Sequence, residues 1–104
     1  MKIALAVKGA GLGAWLDENF AQCGHIIIVG EDNRFTSWRN PCRDESAPQG
    51  KQLAEKVIAE NVDVLITGDI SQEIQDKLEN AGIDVVVRDQ GTVFELVDEV
   101  QNRQ

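Results

Sequence analysis

Cys23, Cys42 and His25 are the side chains of this 104-residue chain best suited to chemistry, being its two thiols and its sole histidine. They flank a run that reads as strand, turn, strand. His25-Ile26-Ile27-Ile28-Val29 is β-branched, Glu31-Asp32-Asn33-Arg34 is a turn cluster, and Phe35-Thr36-Ser37-Trp38 is a second strand. A turn at Asp32-Asn33, or a four-residue loop over 31–34, pairs residues whose numbers sum to 65. Cys23 and Cys42 are then expected opposite each other, with His25 and Trp38 sharing their face. Thiolates suit iron–sulfur clusters, zinc and copper(I), and imidazole adds a further ligand. The same geometry could close a disulfide. There is no CxxC spacing, and three ligands leave a tetrahedral site open, so a partner chain, a cluster's own sulfide or water would have to complete it. Set against this is the plain alternative of two idle thiols and a structural histidine.

Further candidates lie elsewhere in the chain. Gly9-Ala10-Gly11-Leu12-Gly13-Ala14 follows a strand and fits G-x-G-x-x-A, with Glu31 about 20 residues on, as in a dinucleotide fingerprint. A hairpin follows where that fold needs a helix, so a simple turn is the preferred reading, one whose backbone N–H groups could face an anion. No Gly-Lys-Ser/Thr follows, which excludes a P-loop. Gly68, Asp69 and Ser71 open a helix whose free N–H groups and dipole favour an anionic ligand, although ordinary capping explains them equally well. Lys8 and Arg88 could offset negative charge on such a ligand, or simply be solvated. Trp15 and Trp38 either wall a pocket or pack in the core. No serine lies in a nucleophile elbow, and Asp63 sits at the wrong end of its strand for carboxylate chemistry, so no catalytic residue is assigned.

The elements that must position these groups follow from periodicity. Residues 2–7 are an apolar strand, 8–13 a glycine-rich loop, and 14–22 a short helix or an irregular connection. The hairpin is followed by a loop over 40–50 that holds Pro41 and Pro48. Leu53, Ala54, Val57 and Ile58 mark a helix, 62–67 a strand, and Ile70, Ile74 and Leu78 a second helix closed by Gly82. Residues 83–87 form the last strand. Thr92-Val93-Phe94-Glu95 is a capping box for a helix that buries Val93, Leu96, Val97 and Val100. The order β, β, β, α, β, α, β, α with right-handed crossovers gives an α/β fold of one domain, residues 1–104. Its mixed five-stranded sheet has order 3-2-1-4-5, with strand 2 antiparallel and helices on the faces. All the candidate groups then fall at the carboxyl edge of the parallel strands, where ligands of open α/β sheets bind.

The formal net charge of -8 repels phosphate backbones, so nucleic acid is not an expected partner. The opening apolar run is too short for a signal peptide, and no run has membrane-spanning length. A cytoplasmic location is expected, where thiols stay reduced or bind metal.

Met1-Lys2-Ile3-Ala4-Leu5-Ala6, Asn19-Phe20-Ala21-Gln22-Cys23, Asn40-Pro41, Val62-Asp63-Val64-Leu65-Ile66-Thr67-Gly68 and Ala81-Gly82-Ile83 together resemble the dinitrogenase iron–molybdenum cofactor-binding family. The resemblance covers nearly the whole chain and rests on the order and spacing of these pieces. It implies a ribonuclease H-like three-layer fold without nuclease activity. The implied role is a non-catalytic carrier or scaffold for an iron–sulfur or molybdenum–iron–sulfur cluster in cofactor assembly or delivery. The implied partners are cluster-assembly or cluster-receiving proteins, including cluster-handling P-loop ATPases, and the chain is expected as a monomer or weak homodimer. The family often carries His-Phe-Gly-Arg where this chain has Asn19-Phe20-Ala21-Gln22, and a Gly-His-Gly segment where it has Ala47-Pro48-Gln49-Gly50. The ligands that remain are Cys23, Cys42 and the off-pattern His25, with Lys8, Gly9, Gly11, Gly13, Gly68, Asp69, Ser71 and Arg88 shaping the cofactor cavity. Two alternatives are a nucleotide- or anion-binding module built on the glycine loop, and a protein-interaction domain with idle cysteines.

Overall fold

A computed structural model of the chain describes residues 2–9, 11, 13–30, 32, 34–40 and 50–102. Cys42, Leu12, Glu31 and the rest of the 41–49 loop lie outside the described residues. The elements are β1 (Ile3–Val7), β2 (His25–Val29), β3 (Phe35–Arg39), α1 (Lys51–Ala59), β4 (Val64–Thr67), α2 (Gln72–Asn80), β5 (Asp84–Val87) and α3 (Val93–Gln101). They form a mixed sheet of order β3-β2-β1-β4-β5. β1 runs antiparallel to β2 and parallel to β4, and β4 is parallel to β5. This is the expected α/β architecture.

β1 is central, and all five of its residues are buried, which explains why it reads as an unbroken apolar run. Its side chains alternate between two cores. Ala4 and Ala6 join Ile26, Ile28, Leu65 and Phe20 beneath Leu53, Ala54 and Val57 of α1 and Ile74 and Leu78 of α2. Ile3, Leu5 and Val7 join Ile27, Val29, Val64, Ile66 and Val86 beneath Val93, Leu96 and Val100 of α3. The helix ends follow local chemistry. Ser71 caps α2 by accepting from the Ile74 N–H at 3.3 Å. Thr92 accepts from the Glu95 N–H, and its hydroxyl donates to the Glu95 carboxylate at 3.0 Å. Gly82, at φ 89°, takes the left-handed conformation that stops α2, and the Ile83 N–H returns to the Leu78 carbonyl.

Two points left by the sequence are settled. Of the two readings for residues 14–22, the irregular connection holds and the short helix does not. The Lys8 N–H donates to the Trp15 carbonyl and the Asp17 N–H to the Ala6 carbonyl, both at 2.9 Å, while the Leu16 N–H reaches the Gly91 carbonyl at 2.8 Å. The chain therefore folds back along the end of β1 in extended form. Leu16 enters the α3-side core, Phe20 enters the α1/α2-side core, and Trp15 stays exposed, a distribution that no single helical stripe produces. A dinucleotide site needs a helix straight after its glycine loop, so that reading fails.

The second point is a correction and concerns the hairpin. His25 pairs with Arg39 and Ile26 with Trp38, so paired numbers sum to 64, one less than expected. The pairing closes where the Gly30 N–H meets the Arg34 carbonyl at 2.8 Å, which sets three residues in the loop instead of two or four. Since side chains alternate with period two, this one-residue change moves Trp38 to the face opposite His25. Trp38 packs against the α1/α2-side core, with the Lys56 ammonium 4.6 Å from its ring centroid. The arithmetic that set Cys42 opposite Cys23 loses its basis.

Gly68 follows β4 where the returning chain crosses it. A Cβ there would lie 2.3 Å from the Asp17 carbonyl oxygen and 2.6 Å from that of Glu18. Both obstacles are backbone, so relief requires moving the segment. Gly68→Ala is expected to destabilise the fold by about 1–3 kcal/mol, read from the shift in the urea unfolding midpoint. An unchanged midpoint would show that this crossing is loose.

Candidate functional site

The carboxyl edge of the sheet is organised by residues 17–20 lying over the turn after β4. The Asp69 N–H donates to the Glu18 carbonyl at 2.7 Å, and the Phe20 N–H donates to the Asp69 carbonyl at 2.9 Å. The chain then turns through residues 19–22. The Asp17 carboxylate accepts from the Asn19 N–H at 3.4 Å and from the Gly24 N–H at 3.2 Å, so it holds both sides of that turn. The Gln22 N–H donates to the Asn19 side-chain oxygen at 3.1 Å. Asn40, buried just past β3, donates its amide to the carbonyls of Ala21 and Cys23, both at 3.0 Å.

A cavity of about 400 Å³ separates this turn from the start of α2. Its walls are residues 19–22 on one side and Asp69, Ile70, Ser71, Glu73 and Ile74 on the other. The wall offers two side-chain amides, Asn19 and Gln22, the Ser71 hydroxyl, the carboxylates of Asp69 and Glu73, and an apolar contribution from Phe20, Ile70 and Ile74. The first N–H groups of α2 have no intrahelical acceptor, and the helix dipole makes this end electropositive. Glu73 is drawn toward Lys51 of α1, at 3.3 Å. A second hollow of about 340 Å³ is lined by Lys8, Asp17, Glu18, Asn19 and Gln22. Asn19 and Gln22 thus stand between the two spaces. The Lys8 ammonium lies 3.9 Å from the Glu18 carboxylate, with both groups well exposed.

Only some of the residues expected from sequence meet here. Asp69 and Ser71 line the larger cavity and Lys8 the smaller one. Gly68 sits beneath the crossing segment and owes its identity to that contact. Gly9, Gly11 and Gly13 form the loop after β1 and line neither cavity; a Cβ at any of them would meet nothing closer than 3.8 Å. Arg88 turns toward α3: its Nε donates to the Glu99 carboxylate at 2.8 Å, a second guanidinium nitrogen contacts the same oxygen, and Nη1 reaches the Val87 carbonyl. It does not face the cavity.

Cys23 and His25 are close in sequence and apart in space. Cys23 is fully buried in the core under α1 and α2, with its sulfur 3.9 Å from the Asn40 amide nitrogen. His25 precedes Ile26, which faces the same core, so its side chain projects to the opposite face of the sheet. Its Nδ1 is buried there and has no hydrogen-bond partner among the described residues. No group of three or more His, Cys, Asp or Glu side chains among the described residues is arranged to hold a metal ion. The described thiol and imidazole therefore do not form a joint ligand set. Sequence reasoning did not place residues 19–22, Ile70, Glu73 or Ile74 in the cavity wall. It did single out Asn19-Phe20-Ala21-Gln22 as a family segment, and that was the available signal.

The model of the family described as dinitrogenase iron-molybdenum cofactor matches residues 1–103. The chain belongs to this family. No curated protein matches it. Among solved structures, the apo form of the orange protein from Desulfovibrio gigas is 24% identical, with a TM-score of 0.89 over 99% of this chain and 88% of that one. A putative NifB protein from Thermotoga, solved by NMR, is 22% identical, with a TM-score of 0.82 over 97% of this chain and 87% of that one. At these identities the likeness establishes the shared fold. No helix among the described residues is long and apolar enough to cross a membrane.

Asn40 is the main side-chain tie between β3 and the cavity wall. Asn40→Ala removes the donor to the buried Cys23 carbonyl and to the part-buried Ala21 carbonyl and is expected to cost about 1–3 kcal/mol. Amide hydrogen exchange in residues 20–24 should accelerate more than in β4. Equal acceleration throughout the chain would mean that the tie is not local.

Proposed function

We propose that this protein is a non-catalytic, cytoplasmic carrier for an iron- or molybdenum-containing sulfur cluster, seated between the 19–22 turn and the N-terminus of α2. The family match supports a cofactor-associated role. The observation that carries the reading is the make-up of that cavity. It has the room for a small inorganic cargo, an electropositive helix end, two amides and a hydroxyl, beside the carboxylates of Asp69 and of Glu73, the latter paired with Lys51. Such a wall suits a cargo that arrives already assembled, with sulfide or oxo groups that accept hydrogen bonds. The amides of Asn19 and Gln22 donate without adding formal charge, and Lys8 lies on the far side of them.

Thiolate attachment falls to Cys42 in this reading. Cys42 stands two residues past Asn40, and two residues span at most about 7 Å. Asn40 is itself bonded to the turn that walls the cavity. Cys23, buried in the apolar layer, serves packing. His25, on the other face, stands apart from the cargo. The expected partners are the proteins that assemble or receive the cluster, including cluster-handling P-loop ATPases.

The test is anaerobic purification, followed by incubation with iron and sulfide or with molybdate and sulfide, desalting, elemental analysis and a visible spectrum. Retained metal with a sulfide-to-metal charge-transfer band is expected. Cys42→Ser should lower retention, while Cys23→Ser should lower the unfolding midpoint and leave retention largely intact. A colourless, metal-free protein in every arm would refute the carrier role, and loss of retention only in Cys23→Ser would reverse the roles of the two thiols.

A further inference from the structure

We propose that Asp69 is a charge filter at the cavity between the 19–22 turn and α2, so that a singly charged sulfur-bearing anion is accepted ahead of a more highly charged one of the same shape. The inference rests on the carrier reading above and names which cargo that site prefers. Among the described residues that line the cavity, Asp69 and Glu73 are the charged ones, and both are carboxylates. Their surroundings differ. Glu73 lies in the first turn of α2, 3.3 Å from the Lys51 ammonium at the start of α1. Its charge is met by that cation and by the helix end on which it stands. Asp69 stands outside the helix, two residues before the Ser71 cap. Its main chain makes the ties to Glu18 and Phe20, while its exposed carboxylate has no hydrogen-bond or ion-pair partner among the described residues.

The balance of charge follows from these groups. A helix N-terminus offers about half a unit of positive charge. Lys51 and Glu73 largely cancel, and the Lys8 ammonium, on the far side of Asn19 and Gln22, meets the Glu18 carboxylate at 3.9 Å. Asp69 brings a full negative unit, so the sum is negative and each further negative charge on a cargo is resisted. Neutral donors remain to hold the ion: the amides of Asn19 and Gln22 and the Ser71 hydroxyl. A more highly charged ion also loses more hydration on entering. In a cavity of about 400 Å³, a wall carboxylate stands roughly 5–6 Å from an ion at the centre, where each unit of charge changes affinity by about three- to tenfold in wet surroundings.

Two tetrahedral ions of nearly equal size read the filter directly: tetrathiorhenate, a monoanion, and tetrathiotungstate, a dianion. Binding is measured by anaerobic equilibrium dialysis with elemental analysis of the retained metal. The parent should hold the monoanion more tightly, by at least about threefold, and added salt should narrow the gap by screening Asp69. Asp69→Asn keeps the main-chain ties and should shrink the gap by about three- to tenfold, chiefly by tightening the dianion. Lys51→Gln leaves the Glu73 charge unbalanced and should widen the gap. Asp84→Asn removes an exposed carboxylate at the start of β5, the opposite end of the sheet from the cavity, and should leave the gap as it was. A parent that holds both ions equally, or the dianion more tightly, overturns the filter. So does an Asp69→Asn protein whose gap matches that of the parent or of Asp84→Asn. Retention of neither ion by any of these proteins overturns the carrier reading and the filter together, which separates the two failures.

Discussion

A close backbone crossing holds the carboxyl edge of this molecule's sheet together. The carbonyls of Asp17 and Glu18 lie where a side chain on residue 68 would have to be, and Gly68 alone leaves that space open. The crossing lets Asp69 and Glu18 bond main chain to main chain, and the bond from Phe20 back to Asp69 completes the tie. Phe20 is thereby lodged in the core, and the turn over 19–22 is delivered opposite the first turn of α2. Asp17 and Asn40 then fix that turn from its two ends. The cavity is what remains between a turn pinned by backbone contacts and a helix capped by Ser71.

Chemistry at this edge is divided by the sheet itself. β1 is buried on both faces, so consecutive residues beside it look into separate cores. Cys23 lies before β2 begins and enters the core under α1 and α2, whereas His25, the first residue of β2, projects to the other face. A thiol in an apolar layer contributes as a small hydrophobic group, and its reactivity is suppressed by burial. The polar groups that line the cavity are the amides of Asn19 and Gln22, the Ser71 hydroxyl and the carboxylates of Asp69 and Glu73.

β3 and the candidate cavity are linked by chain continuity, because β3 runs directly into Asn40, whose amide is bonded to the carbonyls of Ala21 and Cys23.

Much of this was legible in the sequence. Apolar runs at 3–7 and 62–67, the helical stripes of Leu53/Val57, Ile74/Leu78 and Val93/Leu96/Val100, and the stops at Gly82 and Thr92 are local signals. The handedness of crossovers turns their order into a sheet order, so the architecture followed without coordinates, and with it the carboxyl edge as the expected place for a site. Three features needed the tertiary structure. The hairpin closes one residue away from the turn that its composition favours, and a period of two makes a single residue enough to exchange faces. Residues 14–20 carry a helix-like pattern yet run extended, because Leu16 and Phe20 each find a different core and the backbone finds partners in β1, the Gly91 carbonyl and the turn after β4. The cavity arises where segments far apart in sequence meet, and the contact that brings them together is backbone against backbone at a glycine, which leaves no trace in side-chain pattern beyond that glycine.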